Sequence, residues 1–190
     1  KLSQAELELA VRARAARLAL ARTNGAEFNR YVLRDEETGG AVENAPMHEE
    51  WHRLFDKHKR IVLHSCIESG KSSGVSIGRS LFELGRNPKL RICIVSNTGG
   101  QATKIVRTIA KYIEASAELR RVFPNLRPSV PWTYNAINVD RGGGEEGSWA
   151  GAAKDPSVGM FAWAPGGVQA ERYNMGRHVN ALRYSPDTGG

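Results

Sequence analysis

Residues 60–73 read Arg60-Ile61-Val62-Leu63-His64-Ser65-Cys66-Ile67-Glu68-Ser69-Gly70-Lys71-Ser72-Ser73, an apolar run that breaks into a Gly-Lys-Ser turn. The pattern predicts a β-strand feeding a phosphate-binding loop. Backbone N–H groups of such a loop, followed by a helix N-terminus, offer several donors and a positive dipole end to a polyphosphate. Lys71 would reach the terminal phosphates and the Ser72 hydroxyl would hold Mg²⁺. The template for the motif is G-x-x-x-x-G-K-[ST], and Ser65 stands where its first Gly belongs.

The residues after the turn supply the context the motif needs. Residues 73–86 carry Val75, Ile77, Leu81, Phe82 and Leu84 at helical spacing, with Arg79 and Arg86 expected outside, and Gly85-Arg86-Asn87-Pro88 as a stop. Leu90 to Thr98 is rich in β-branched residues and ends at Gly99-Gly100, which predicts a second buried strand. Strand, loop, helix and strand within about 40 residues form a βαβ unit, hence a parallel sheet. Residues 101–121 read as the next helix, with Ile105, Ile109, Tyr112 and Ile113 inward. Lys104, Arg107 and Lys111 form a basic stripe on it, read as a solvated face or, more sharply, as a DNA-backbone contact. Trp132 to Val139 alternates in polarity and predicts one further strand.

Upstream, Ser3-Gln4-Ala5-Glu6 is a capping box before an amphipathic helix whose packing face is Leu7, Val11, Ala15 and Leu18, stopped by Asn24-Gly25. A second helix is expected from Met47 to His58. It contains His48-Glu49-Glu50-Trp51-His52, a match to the H-E-x-x-H zinc pattern, with His58 where a longer form has its third ligand. The longer form needs a Gly at the position of Phe55 so that the chain can turn back, and Phe resists positive φ. The stretch is therefore read as a packing helix that presents Trp51, Leu54 and Phe55 to the core, with a zinc hydrolase as the minor alternative.

The 190 residues suffice for one domain with a sizeable core, and no apolar run approaches the roughly 20 residues of a membrane span. No signal peptide is apparent. Cys66 and Cys93 lie in apolar runs and are expected to be buried free thiols in a reducing cytoplasm. The net charge is +7, and residues 1–126 hold 21 Lys/Arg against 14 Asp/Glu while 127–190 hold six of each. Such a basic excess suits a polyanion such as DNA. Eleven of the 20 glycines fall in 142–190, which is expected to be irregular and partly disordered. The organisation expected is a helix and linker over 1–46, a nucleotide-binding core over 47–140 and a Gly-rich segment over 141–190.

Taken in order, Met47 to His52, Glu68-Ser69-Gly70-Lys71-Ser72-Ser73, Leu84-Gly85-Arg86-Asn87-Pro88, Ile94 to Thr98 with Gln101-Ala102, Val122-Phe123-Pro124 and Lys154-Asp155-Pro156-Ser157-Val158 resemble the large subunit of phage terminases. That family packages DNA into viral capsids. The resemblance spans about residues 45–160 and implies an α/β P-loop NTPase of the RecA-like (ASCE) kind, a parallel sheet flanked by helices. It implies ATP and Mg²⁺ as cofactors, with Glu68, Ser69, Gly70, Lys71, Ser72 and Ser73 as binding residues, Lys71 as the catalytic lysine and Ser72 on the metal.

The resemblance further implies double-stranded DNA, a portal protein and a small terminase subunit as partners, a homo-oligomeric ring, no membrane, and the cytoplasm of an infected or lysogenic bacterium. The family's loop often departs from the Gly-first form, which accommodates Ser65. Trp51 and His52 match its adenine-side region, and Ser96 to Gln101 a segment that lies near DNA in related motors.

Two departures stand out. No Arg stands immediately before Gly70-Lys71. The family's strand-end carboxylate pair is expected after Gln169 to Met175, where the chain reads Gly176-Arg177-His178-Val179-Asn180-Ala181-Leu182-Arg183. Asp140 is a lone acid too early in the pattern, and Glu145-Glu146 sits among glycines. The expectation is an ATPase domain incomplete before its catalytic acid and its nuclease domain, able to bind nucleotide and weak in hydrolysis. A helicase-like P-loop ATPase and a non-catalytic binding module are the alternatives.

Overall fold

The computed structural model describes residues 3–35, 38–96, 98–133 and 136–140, together with two strand backbones at 160–163 and 181–185. Helix α1 (Gln4–Thr23) begins at the expected capping box: Glu6 N donates to Ser3 Oγ at 3.3 Å and Ser3 N donates to Glu6 Oε2 at 2.7 Å. Its expected packing face is largely absent. Residues 3–17 are all exposed, Leu7, Leu9 and Val11 among them, as is Leu20; Leu18 is half-buried and Ala21 is buried. The apolar residues are spread around the helix, so no single stripe outweighs the rest. Only the last turn is anchored, where the Arg22 guanidinium donates to the carbonyls of Val122 and Arg121.

Asn24 ends α1 and starts α2 (Gly25–Val32), accepting from the amides of Ala26 and Glu27. Helix α3 (Pro46–Lys57) has Pro at its first position, and Trp51 and His52 are its buried residues. Leu54 and Phe55 are half-buried.

The run at 61–66 does not form the expected strand. Its side chains alternate between half-buried and exposed, with Val62 82% and Ile67 92% accessible, and Cys66 is exposed rather than buried. A strand needs a neighbour to pair with, and no described strand takes this run as partner.

After the turn the chain enters a π-helix, π1 (Ser72–Arg79), continued by α4 (Ser80–Arg86). Val75, Leu81, Phe82 and Leu84 are buried as expected. Arg79, expected outside, is 4% accessible. It shares a helical face with Val75 and Phe82. There Arg79 lies against Asp56 at 2.7 Å, against Glu83, and over the rings of Phe55 and Phe82.

Strand β1 (Arg91–Val95) leads to α5 (Gly99–Ala115), capped by Thr98, and to α6 (Ala117–Val122), capped by Ser116. The single helix expected over 101–121 is thus two. The single strand expected at 132–139 is a hairpin, β2 (Pro128–Trp132) and β3 (Ala136–Val139), in antiparallel register with Pro128 opposite Val139.

Strands β4 (Met160–Trp163) and β5 (Ala181–Ser185) complete a mixed sheet in the order β2-β3-β4-β1-β5. Its parallel pair is β1–β4; β3–β4 and β1–β5 are antiparallel. Two strands therefore arise in the Gly-rich stretch read as irregular. The rest of 141–190, including Glu145-Glu146 and the approach at 169–175, lies outside the described residues.

The core is built from Phe28, Val32, Leu81, Phe82, Leu84, Ile92, Ile94, Val106, Ile109 and Ile113, and it joins α2, α4, β1 and α5. Phe28, Phe82 and Phe123 form its aromatic centre, with ring centroids 5.5–6.3 Å apart. Gly85 is required there, because a Cβ would lie 2.0 Å from the Phe123 ring. Among the described residues no helix is long and apolar enough to cross a membrane.

Candidate functional site

Glu68, Ser69, Gly70, Lys71, Ser72 and Ser73 form one tight reversal of the chain. Glu68 takes φ +63° and Gly70 φ +74°. For Glu68 the left-handed conformation costs about 1–2 kcal/mol, while Gly70 adopts it freely. Lys71 already has helical dihedrals (φ −55°, ψ −45°), and the first amide to find a carbonyl behind it is Gly74 N, which donates to Gly70 O at 2.7 Å. The amides of a helix's opening turn have no intrahelical acceptor.

Two contacts hold the reversal. The hydroxyls of Ser65 and Ser69 are hydrogen-bonded at 2.8 Å. The Ser69 carbonyl accepts from His48 Nε2 at 2.8 Å. His48 Nδ1 accepts from Ala45 N at 3.0 Å, so the ring proton is on Nε2. The first His of the zinc-like pattern therefore ties α3 to the turn. Ser69 is buried and Lys71 half-buried, whereas Ser72 and Ser73 are exposed. The ligand-competent atoms of the turn are thus the Lys71 ammonium and the hydroxyls of Ser72 and Ser73.

Beneath it lies a polar cluster that sequence reasoning missed. The Asn29 carboxamide nitrogen donates to Gly74 O at 2.8 Å and to His52 Nε2 at 2.9 Å. His52 is buried, and that burial, with the Arg79 guanidinium beside it, lowers its pKa to about 4; Asp56 pulls the other way. The ring is neutral at pH 7, with Nε2 accepting and Nδ1 protonated. Asn29 Oδ1, His52 Nδ1 and Arg79 Nη1 are buried without a hydrogen-bond partner among the described residues.

Helix α2 approaches closely because of two glycines: a Cβ at Gly25 would meet His52 Nδ1 at 2.5 Å, and one at Gly78 would meet Asn29 Oδ1 at 2.1 Å. The sequence signal for this contact is the Gly74/Gly78 pair, one turn apart after the loop, which lets a second helix sit against the backbone.

Trp51, in the expected adenine-side region, is buried with the His48 ring edge-on at 4.9 Å. Lys104, Arg107 and Lys111 are exposed on α5 and face a cleft of about 670 Å³ that also reaches Ser73 and Ile77 of π1. Asp140 is exposed at the end of β3, away from the residues of the turn in sequence, with its amide donating to Arg127 O. No protein-family model matches the chain, and no curated protein matches it.

Proposed function

We propose that the Glu68–Ser73 turn binds the phosphates of ATP and that the chain is the nucleotide-binding part of a DNA-packaging motor of the terminase large-subunit kind, with an α/β P-loop NTPase fold. The observation that carries this reading is the left-handed Gly70 leading straight into a helix at Lys71. That arrangement puts helix-start amides, an ammonium and two hydroxyls next to one another. The donor set suits a polyphosphate, and the resemblance of the ordered segments from 45 to 160 supplies the rest.

In this role Lys71 offsets charge on the terminal phosphates, Ser72 contributes one oxygen to Mg²⁺, and His48 with Ser65 keeps the turn in shape. Mg²⁺ held there by Ser72 would supply positive charge against the phosphates. Double-stranded DNA as the translocated partner follows from the family likeness and the basic excess of residues 1–126. So do a homo-oligomeric ring, docking to a portal protein and a small terminase subunit, and the cytoplasm of a phage-infected bacterium as its place. No acidic pair stands at 176–183, where the family has its catalytic carboxylates, so binding without efficient turnover is the expected behaviour. The same fact favours, as a second reading, a nucleotide-binding module that does no catalysis.

Calorimetric titration with Mg·ATP tests the proposal. The wild-type protein should bind, and Lys71→Ala should weaken binding at least tenfold. Undiminished binding by Lys71→Ala would remove the turn from consideration.

A further inference from the structure

The cleft beside the turn has the features of a separate anion site. It is an open cleft bordered by the residues just after α2 (Leu33–Asp35), by π1 and by α5 from Gly100 to Tyr112. Its floor is apolar, from Leu33, Ile77 and the Tyr112 ring, and its open side carries Lys104, Arg107 and Lys111. Among the described residues the ammonium groups of Lys104 and Lys111 have no ion pair. Two exposed ammonium groups over an apolar floor raise the local positive potential, so the cleft favours a ligand of negative charge.

Among the described residues lining the cleft, Asp35 is the acid, beside Lys104 and Lys111 of α5. It lies on the rim, with Oδ1 engaged by the amide and hydroxyl of Thr38, both at 2.8 Å. Arg34, also on the rim, donates to the carbonyls of Tyr31 and Leu33 and pairs with Glu118 at 3.2 Å, so it belongs to the scaffold.

We propose that this cleft binds a small oligophosphate, at a site distinct from the Gly-Lys-Ser turn. Two quantities favour a small ligand over a nucleic-acid track. The volume of about 670 Å³ falls within the range of small-molecule pockets. Lys104 and Lys111 are seven residues apart on one helix, so their Cα atoms are about 10 Å apart, the span of a short phosphate chain gripped at both ends. Arg107 lies between them on the same helix, and the Ser73 hydroxyl adds a donor. Ser73 borders both the cleft and the turn, so the two sites share the first turn of π1. The proposal does not require ATP in the turn.

The test is a titration with inorganic tripolyphosphate in the Lys71→Ala background, which removes the principal cation of the turn. Binding should persist there. It should weaken at least tenfold when Lys104→Ala and Lys111→Ala are added, and return in the corresponding double Arg variant. Lys104 and Lys111 are on the surface and Lys71 is half-buried, so circular dichroism and the thermal midpoint of each variant should match those of the wild type. Absence of binding in the Lys71→Ala background, or binding indifferent to Lys104 and Lys111, overturns the assignment. Retention of a short DNA duplex by these lysines without tripolyphosphate binding overturns it in favour of a nucleic-acid track.

Discussion

Asn29 and Gly78 are in contact so close that a methyl group on Gly78 would lie 2.1 Å from the Asn29 carboxamide oxygen. Asn29 has nowhere to retreat, because its nitrogen is held by both Gly74 O and His52 Nε2. Gly78→Ala would gain up to about 1 kcal/mol from helix propensity. Against that stands an overpacking cost of about 1–3 kcal/mol, with strained hydrogen bonds in addition. The variant is expected to be net destabilised, seen as a lowered urea midpoint. Gly100→Ala, which meets nothing within 4 Å, is the control and should leave the midpoint unchanged or raise it.

The same cluster makes stability depend on pH through His52. Its folded pKa, about 4, lies below the ordinary value of 6.5, so protons bind the unfolded chain more readily. The neutral ring's contribution is fully present above pH 6.5 and is lost as pH falls through the folded value. Between pH 7 and pH 4 the loss from this residue is about 3 kcal/mol, at 1.36 kcal/mol per unit. His52→Gln, whose amide oxygen can still accept from Asn29, should flatten the pH dependence of the unfolding free energy by about that amount. Equal slopes in the two proteins would show that the ring is not buried neutral.

How far the sequence discloses the fold depends on what each element relies upon. Local chemistry is legible: the Ser3 and Glu6 box, the Asn24 stop, the Gly-Lys-Ser reversal and the β-branched run of β1 are set by near neighbours. Elements that depend on distant partners are not. Ile61-Val62-Leu63 has the composition of a buried strand, yet strand formation requires a neighbour, and β1 pairs instead with β4 and β5, more than 60 residues further on. Arg79 is misplaced by a reading that sends a charged side chain outward, although its i+4 spacing from Val75 and i−3 spacing from Phe82 put it on a buried helical face. In the candidate site, the six turn residues are identifiable from the motif. Asn29, His52 and Arg79 are not, because their roles arise only where three helices meet.

Helix α1 puts the same contrast in measurable form. A periodic reading assigns Leu7 to a packing face, but it is 56% accessible, and Leu9 is 69% accessible. Leu7→Ser and Leu9→Ser should each change unfolding free energy by less than about 0.5 kcal/mol. Leu81→Ala, at a fully buried position in the same chain, should cost about 2–5 kcal/mol. A loss above about 1 kcal/mol at Leu7 in dilute solution would mean that its side chain is covered.

His48 offers the sharpest test of how the turn is held. Its two ring nitrogens are both engaged, Nδ1 by the Ala45 amide and Nε2 by the Ser69 carbonyl, and so neither offers a free lone pair to a metal. A chelator should therefore leave the thermal midpoint unchanged, whereas a zinc-dependent fold would lose stability. His48→Ala removes the Nε2–H donor and the edge contact with Trp51. A hydrogen bond of this kind contributes about 1 kcal/mol, so backbone amides in 69–74 should exchange roughly five- to tenfold faster. Amides of β1 and the middle of α5 should be unaffected, since their bonds lie in the sheet and helix rather than in the turn. If the turn also binds ATP, affinity should fall by a similar factor with Lys71 and Ser72 still in place, because the loop must then be ordered on binding. Faster exchange spread evenly over the chain would instead indicate general destabilisation through α3 and would separate His48 from the turn.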